Sequence, residues 1–117
     1  MIIPRGSLIP IDFDGLRILD YTAEQRLGAS VAVVEVPPGG GHPQAWSRRS
    51  DKYYLVIRGE IRFVLESQAA ALAVGDLCVV RQGQRFSYSN EGSESAVFVL
   101  FHCPPFDIHE EVFVEDE

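Results

Sequence analysis

Few side chains in this sequence can do chemistry beyond solvation, and their spacing narrows what that chemistry is. The three histidines, His42, His102 and His109, are scattered. No two stand at i, i+2 on one strand, the spacing that puts two imidazoles on one metal ion, so they read as loop or strand-end groups with ordinary hydrogen bonds. Cys78 and Cys103 are the only cysteines and lack CxxC spacing. They read as reduced packing residues rather than a zinc site or a disulfide framework. Nine arginines stand against a single lysine, Lys52. A lysine held in an apolar cavity beside a second cation such as Arg48 loses its proton more easily, and the free amine is a base or an imine-forming nucleophile. Lys52 is therefore the sharpest candidate for a catalytic residue. The planar fork of Arg48 suits a carboxylate or phosphate. Trp46 and Phe86 offer ring faces for stacking, and Tyr54 and Tyr88 are further acid–base groups.

Such residues need a scaffold, and the sequence points to an all-β one. Apolar residues recur with period two or in short runs, bounded by Gly, Pro, Asn and Ser. Strands are predicted over 16–21, 29–36, 52–58, 60–65, 69–72, 77–81, 86–89 and 96–102. Breakers lie between them at 37–41, 58–60, 75–76, 82–84 and 90–93. Gly59 supplies the backbone freedom of a tight hairpin. Many short strands at even spacing require a closed or doubled sheet, because open edges would stick. Residues 21–28 are compatible with a loop or one helical turn.

The turn residues also fall into a known register. Gly40 and Gly59 bracket a stretch in which Trp46, Arg48 and Lys52 occupy spaced positions; Gly75, Gly83 and Asn90 bracket a second stretch with Arg81 and Phe86. This pattern resembles the two motifs of the cupin superfamily, and the resemblance covers most of the chain. It implies a double-stranded β-helix, or jelly-roll cupin barrel. It also places Trp46 and Arg48 at the two histidine positions of a metal site, Lys52 at the glutamate position and Phe86 at the third histidine position. A tryptophan offers only an N–H donor, arginine and lysine are cations, and phenylalanine offers nothing to a metal. The expectation is a barrel without metal or other cofactor, and without the metal-dependent dioxygenase chemistry of many cupins. The motif positions face the interior, so the resemblance implies that Trp46, Arg48, Lys52, Tyr54, Phe86 and Tyr88 line the barrel. Either they form a ligand pocket with aromatic walls and a cationic end, or they fill the core, with Glu35, Glu60 or Glu66 as internal partners for the cations.

The reading is a single domain over 1–117, with a core barrel at about 29–103 and an N-terminal arm (1–28) and acidic tail (104–117) packing outside. Its function is to bind a small organic ligand, anionic or aromatic. The alternative is a metal-independent isomerase, epimerase or cyclase, and the sequence leaves open whether there is catalysis. The formal net charge is −7. Residues 107–117 hold six acids and no Lys or Arg, leaving eleven acids against ten bases elsewhere. That balance argues against nucleic acid as a partner. Val112, Phe113 and Val114 interrupt the acids, so the tail is either solvated or laid across a sheet. No apolar run approaches a membrane span, and residues 1–6 lack the pattern of a secretory signal, which makes the cytoplasm the expected location. By resemblance a homodimer is expected, with Met1–Ile11 and Val112–Val114 as contact candidates.

Overall fold

In the computed structural model, which describes residues 1–117, the alternation read from the sequence becomes two antiparallel sheets. One contains β1 (Ile11–Phe13), β2 (Leu16–Asp20), β3 (Ser30–Val36), β5 (Asp51–Arg58), β8 (Leu77–Val80) and β10 (Ala96–Cys103). Its order is β1-β2-β3-β10-β5-β8. The other contains β4 (Gly41–Ser47), β6 (Ile61–Leu65), β7 (Gln68–Leu72), β9 (Phe86–Ser89) and β11 (Glu111–Phe113), in the order β11-β4-β9-β6-β7. Neighbours in space are mostly distant in sequence, as in the jelly-roll cupin fold. No helix is long and apolar enough to cross a membrane.

Period-two patterning determines which side chains meet between the sheets. In β5, Lys52, Tyr54 and Val56 are buried while Tyr53 and Leu55 face the other way. In β9, Phe86 and Tyr88 are buried. They join Tyr54, Phe63 and Phe98 in an aromatic cluster, with Tyr54 at 4.9 Å from Phe63 and 5.2 Å from Phe98 between ring centroids. Edge-to-face contacts of this kind add to what burial of the rings contributes.

The turn residues act as expected. Gly59 has φ +71°, and a Cβ there would lie 2.8 Å from the Ser95 carbonyl oxygen, so both conformation and space demand glycine. Asn90 is buried and fully used: its Nδ2 donates to the Val36 and Glu94 carbonyls, and its Oδ1 accepts from the Gly92 N–H.

Three strands lie outside the predicted set: β1, β4 and β11. β4 carries Pro43, which lacks an N–H and read as loop. The ladder to β9 accommodates it with a bulge: His42 pairs with Tyr88 and Ala45 with Phe86, three residues advancing against two. Parts of the N-terminal arm and of the acidic tail join the sheets, while residues 1–10 stay largely exposed. β1 and β2 extend the first sheet, with Leu16 in the core, and β11 adds to β4. β1 and β11 are three residues long and have no periodicity to read, so the sequence did not show how they join the sheets.

Candidate functional site in the barrel cavity

Between the sheets lies a cavity of about 290 Å³. Leu16, Ile18 and Val34 make one apolar wall, Ala45, Phe86 and Tyr88 the opposite one, and Phe106, Ile108 and Phe113 from the C-terminal segment complete the lining. The polar groups set into this lining are Asp20, Ser30, His42, Lys52, Tyr54, Tyr88, His102 and Glu111.

Of the six residues expected to line the barrel, Lys52, Tyr54, Phe86 and Tyr88 do so, and Trp46 and Arg48 do not. The β4 bulge is the cause. One extra residue reverses the alternation downstream of it, so Ala45 and Ser47 are buried and Trp46 and Arg48 face outward. The two displaced side chains instead hold the C-terminal segment. Trp46 Nε1 donates to Glu117 Oε1 at 2.6 Å, and the Arg48 guanidinium donates to the His109 carbonyl at 3.4 Å, beside a backbone bond from the Arg48 N–H to the Glu110 carbonyl at 2.8 Å. The Arg48 guanidinium lies 5.7 Å from the Trp46 ring centroid. The Trp46 hydrogen bond, helped by Arg85, holds the Glu117 carboxyl below its usual range.

Lys52 is inside, 4% exposed, but its neighbour is not Arg48. Nor is its partner Glu35, Glu60 or Glu66: Lys52 Nζ pairs with Glu111 Oε1. Glu111 comes from the tail, carried in by the pairing of β11 with β4. Burial pushes the Lys52 ammonium below its ordinary pKa, and the Glu111 carboxylate opposes that shift. The ammonium also lies 4.4 Å from the Phe86 ring centroid. Glu111 Oε2 is buried without a hydrogen-bond partner. With Arg48 outside, one ammonium shares the lining with the carboxylates of Asp20 and Glu111. The cationic end expected for an anionic ligand is therefore absent.

The sequence reading also passed over His42 as a loop residue. On β4 just before the bulge, it points into the cavity among aromatic rings, 5.2 Å from Phe86, 5.5 Å from Tyr88 and 5.5 Å from Phe113. Its Nδ1 lies 2.7 Å from the Pro43 carbonyl oxygen. A carbonyl only accepts, so Nδ1 carries the proton and Nε2 keeps its lone pair. Burial lowers the His42 pKa, with the nearby Lys52 charge acting in the same direction. The ring is thus a neutral base in a fixed tautomer. Tyr54 and Tyr88 are held protonated: burial drives both phenols well above their ordinary range. His102, paired across the sheet with Lys52, is lowered to about 3 by burial and then by Lys52, and its Nε2 has no partner.

Cupins commonly hold a metal between the strands that carry these motifs, so the donor set can be tested for it. Trp46 and Arg48 face away, Lys52 is in an ion pair, and Phe86 has no lone pair. Nor do three or more His, Cys, Asp or Glu side chains converge as a metal-binding group. The residues present do not fit a metal centre.

Fold and cavity together define a small-barrel protein with an interior cavity, and the comparisons with known proteins agree on the fold. The family model described as "Cupin domain" matches residues 32–102, and the chain belongs to that family. Among solved structures it is similar to a histidine-to-glutamine variant of Streptomyces PAC13 with uridine. That likeness has 25% identity and a TM-score of 0.82, covering 97% of this chain and 89% of that one. A further structure of Pac13, described as a unique nucleoside dehydratase, is 24% identical with a TM-score of 0.81, over 100% of this chain and 96% of that one. A predicted oxalate decarboxylase from Thermotoga maritima shares the fold at 17% identity and a TM-score of 0.81, over 89% and 99% of the two chains. Among curated proteins, Endoribonuclease YbeY of Myxococcus xanthus is 31% identical over 105 residues. That match takes in 87% of this chain but spans only 35% of the relative's length.

Proposed function

We propose that the barrel binds a small, neutral, hydroxyl-bearing ring compound of the nucleoside type and performs metal-independent acid–base chemistry on it, with His42 as the base. The observation that carries this reading is His42 itself: a neutral imidazole, its tautomer set by the Pro43 carbonyl, sharing one apolar cavity with two protonated tyrosines and the Lys52–Glu111 pair. A base and several proton donors around one small volume suit proton abstraction coupled to departure of a hydroxyl group. In such an elimination His42 Nε2 takes a proton from a carbon next to a carbonyl. The C–H electrons form the new double bond, the β C–O bond breaks, and the oxygen leaves as water with a proton from Tyr54, Tyr88 or Lys52. The aromatic walls favour a flat ring, and the lining's lack of surplus positive charge favours a neutral ligand over a phosphate or carboxylate. The likeness to a nucleoside dehydratase solved with uridine supports the same class. Histidine and tyrosine are also the residue types changed in the uridine-bound Streptomyces variants.

Calorimetric titration with uridine and with uridine monophosphate tests the ligand class. Uridine is expected to bind at least about tenfold more tightly, a difference of about 1.4 kcal/mol. Tighter binding of the monophosphate, or binding of neither, would refute it. For catalysis, a β-hydroxy-aldehyde derivative of the nucleoside should be dehydrated. His42→Gln should lower turnover by about 10²–10⁴-fold, the range of general acid–base effects, while the variant still binds uridine. Unchanged turnover would remove His42 from the role.

A further inference from the structure

The outer side of the first sheet holds a second concavity, of about 350 Å³, that shares no lining residue with the barrel cavity. Strand alternation builds half of it. On β2 and β3, Leu16, Ile18, Ala32 and Val34 line the barrel, so Arg17, Leu19, Val33 and Glu35 face outward. The registers set Arg17 opposite Glu35, and Glu35 opposite Val97 of β10. Arg58 arrives by a different route. The ladder from β10 to β5 pairs Val97 with Arg58 and Phe98 with Val56, which leaves Ile57 as an extra residue. Val56 is buried in the core, and unbroken alternation would turn Arg58 the same way. The extra residue turns it outward instead, beside Ile57. The third arginine, Arg5, comes from the short 3-10 turn Arg5–Ser7 of the N-terminal arm. Leu19 and Val97 form a buried apolar floor.

Three guanidiniums thus share this concavity with a single carboxylate, Glu35, on a chain whose formal net charge is −7. None of the three takes part in the chain's ion pairs, which join Lys52 to Glu111, Arg62 to Glu91 and Arg85 to Glu117. Cations gathered without partners repel one another, and an anion seated among them removes that cost.

We infer that this concavity is an oxyanion site for a small phosphate-bearing molecule, separate from the barrel site and independent of what the barrel binds. Guanidiniums from three separate elements can each direct N–H groups at a different oxygen. That arrangement suits a tetrahedral phosphate better than a planar carboxylate. Three positive charges against one negative leave a surplus of two, which matches a phosphate dianion. The Tyr21 hydroxyl adds a neutral donor to the same lining. The occupant is small because the charge is confined. The next outward residues along these strands, Val31, Val99, Leu55 and Tyr53, carry none. A nucleic-acid strand, whose phosphates repeat along its length, finds no continuing track of cations to follow there.

Calorimetric titration of the full chain with inorganic phosphate tests the assignment, at about 10 mM ionic strength so that screening of exposed charges is weak. The wild type should bind phosphate with a dissociation constant of about 1 mM or tighter. Arg17→Gln with Arg58→Gln should weaken binding at least about tenfold, the loss expected when hydrogen bonds to a charged group are removed. Arg62→Gln, on the second sheet, should leave it within about twofold, as for a distant and independent position. Arg17 and Arg58 are exposed, so neither substitution opens the core. Should the double variant nevertheless misfold, the readout is the wild type's backbone NMR spectrum, in which phosphate should shift the signals of Arg17, Tyr21 and Arg58 and leave those of His42 and Lys52 in place. Absence of binding, equal binding by the double variant, or shifts centred on His42 and Lys52 would each overturn the inference. A single-stranded oligouridylate that binds more tightly than phosphate, and is released by the same double substitution, would assign the concavity to RNA and overturn it as well.

Discussion

β4 and β5 both carry residues at positions where relatives hold a metal, yet only one strand presents them to the interior. β5 is regular up to Val56: Asp51 to Val56 alternate without interruption, and Lys52 and Tyr54 fall on the inner face. β4 contains Pro43 and a bulge, and the same parity argument fails there by one residue. The consequence goes beyond two misplaced side chains. Turning Trp46 and Arg48 outward lets their side chains bond Glu117 and the His109 carbonyl of the tail, and the tail places Glu111 against Lys52. The bulge also marks off the inward-facing His42 from the reversed half of its strand. The difference between the strands shows that strand parity is a local rule, valid only between irregularities.

The comparison can be broken most decisively at Lys52. Lys52→Met leaves the Glu111 carboxylate buried without its partner, and loss of one member of a buried pair costs about 3–5 kcal/mol. Urea denaturation should show that loss, and the double variant Lys52→Met with Glu111→Leu should recover most of it. If the single substitution is neutral, the pair is not formed as described.

A smaller effect should appear with pH. His102 is held at about 3 against an ordinary 6.5, so between those values the unfolded chain binds the proton and the folded chain does not. Stability therefore falls as pH drops from 6.5 towards 3, by at most about 1.4 kcal/mol per pH unit from this residue. Urea midpoints measured across that window should flatten in His102→Asn. An unchanged slope would mean that His102 titrates normally.

The smallest effect belongs on β4. Arg48→Ala should leave binding of the cavity ligand within about twofold, because the side chain is outside; an inward arginine gripping a ligand by charge-assisted hydrogen bonds would cost far more. A large loss of affinity on titration of that variant would place Arg48 back in the cavity.

The legible part of the fold was the part governed by local chemistry. Gly59 and Asn90 were readable because a left-handed turn and a buried, fully bonded amide each demand one residue type. Phe86, Tyr88, Lys52 and Tyr54 were readable as inward-facing because β5 and β9 alternate without a break around them. The absence of metal-ligand chemistry at the four motif positions was likewise a property of the residues themselves. Glu111 could not be found this way, since it lies 59 residues from Lys52 and reaches it only through the β11–β4 pairing. His42 was hidden by the proline beside it.

By itself, then, the sequence determined the cupin barrel, its turns and the aromatic character of its interior, because period-two patterning and turn residues act over a few positions. Only the tertiary structure decided the charge balance of the cavity, the inward placement of His42 and the pairing of β1 and β11 into the sheets. Those depend on a one-residue bulge and on contacts between distant strands, and no short-range pattern encodes either.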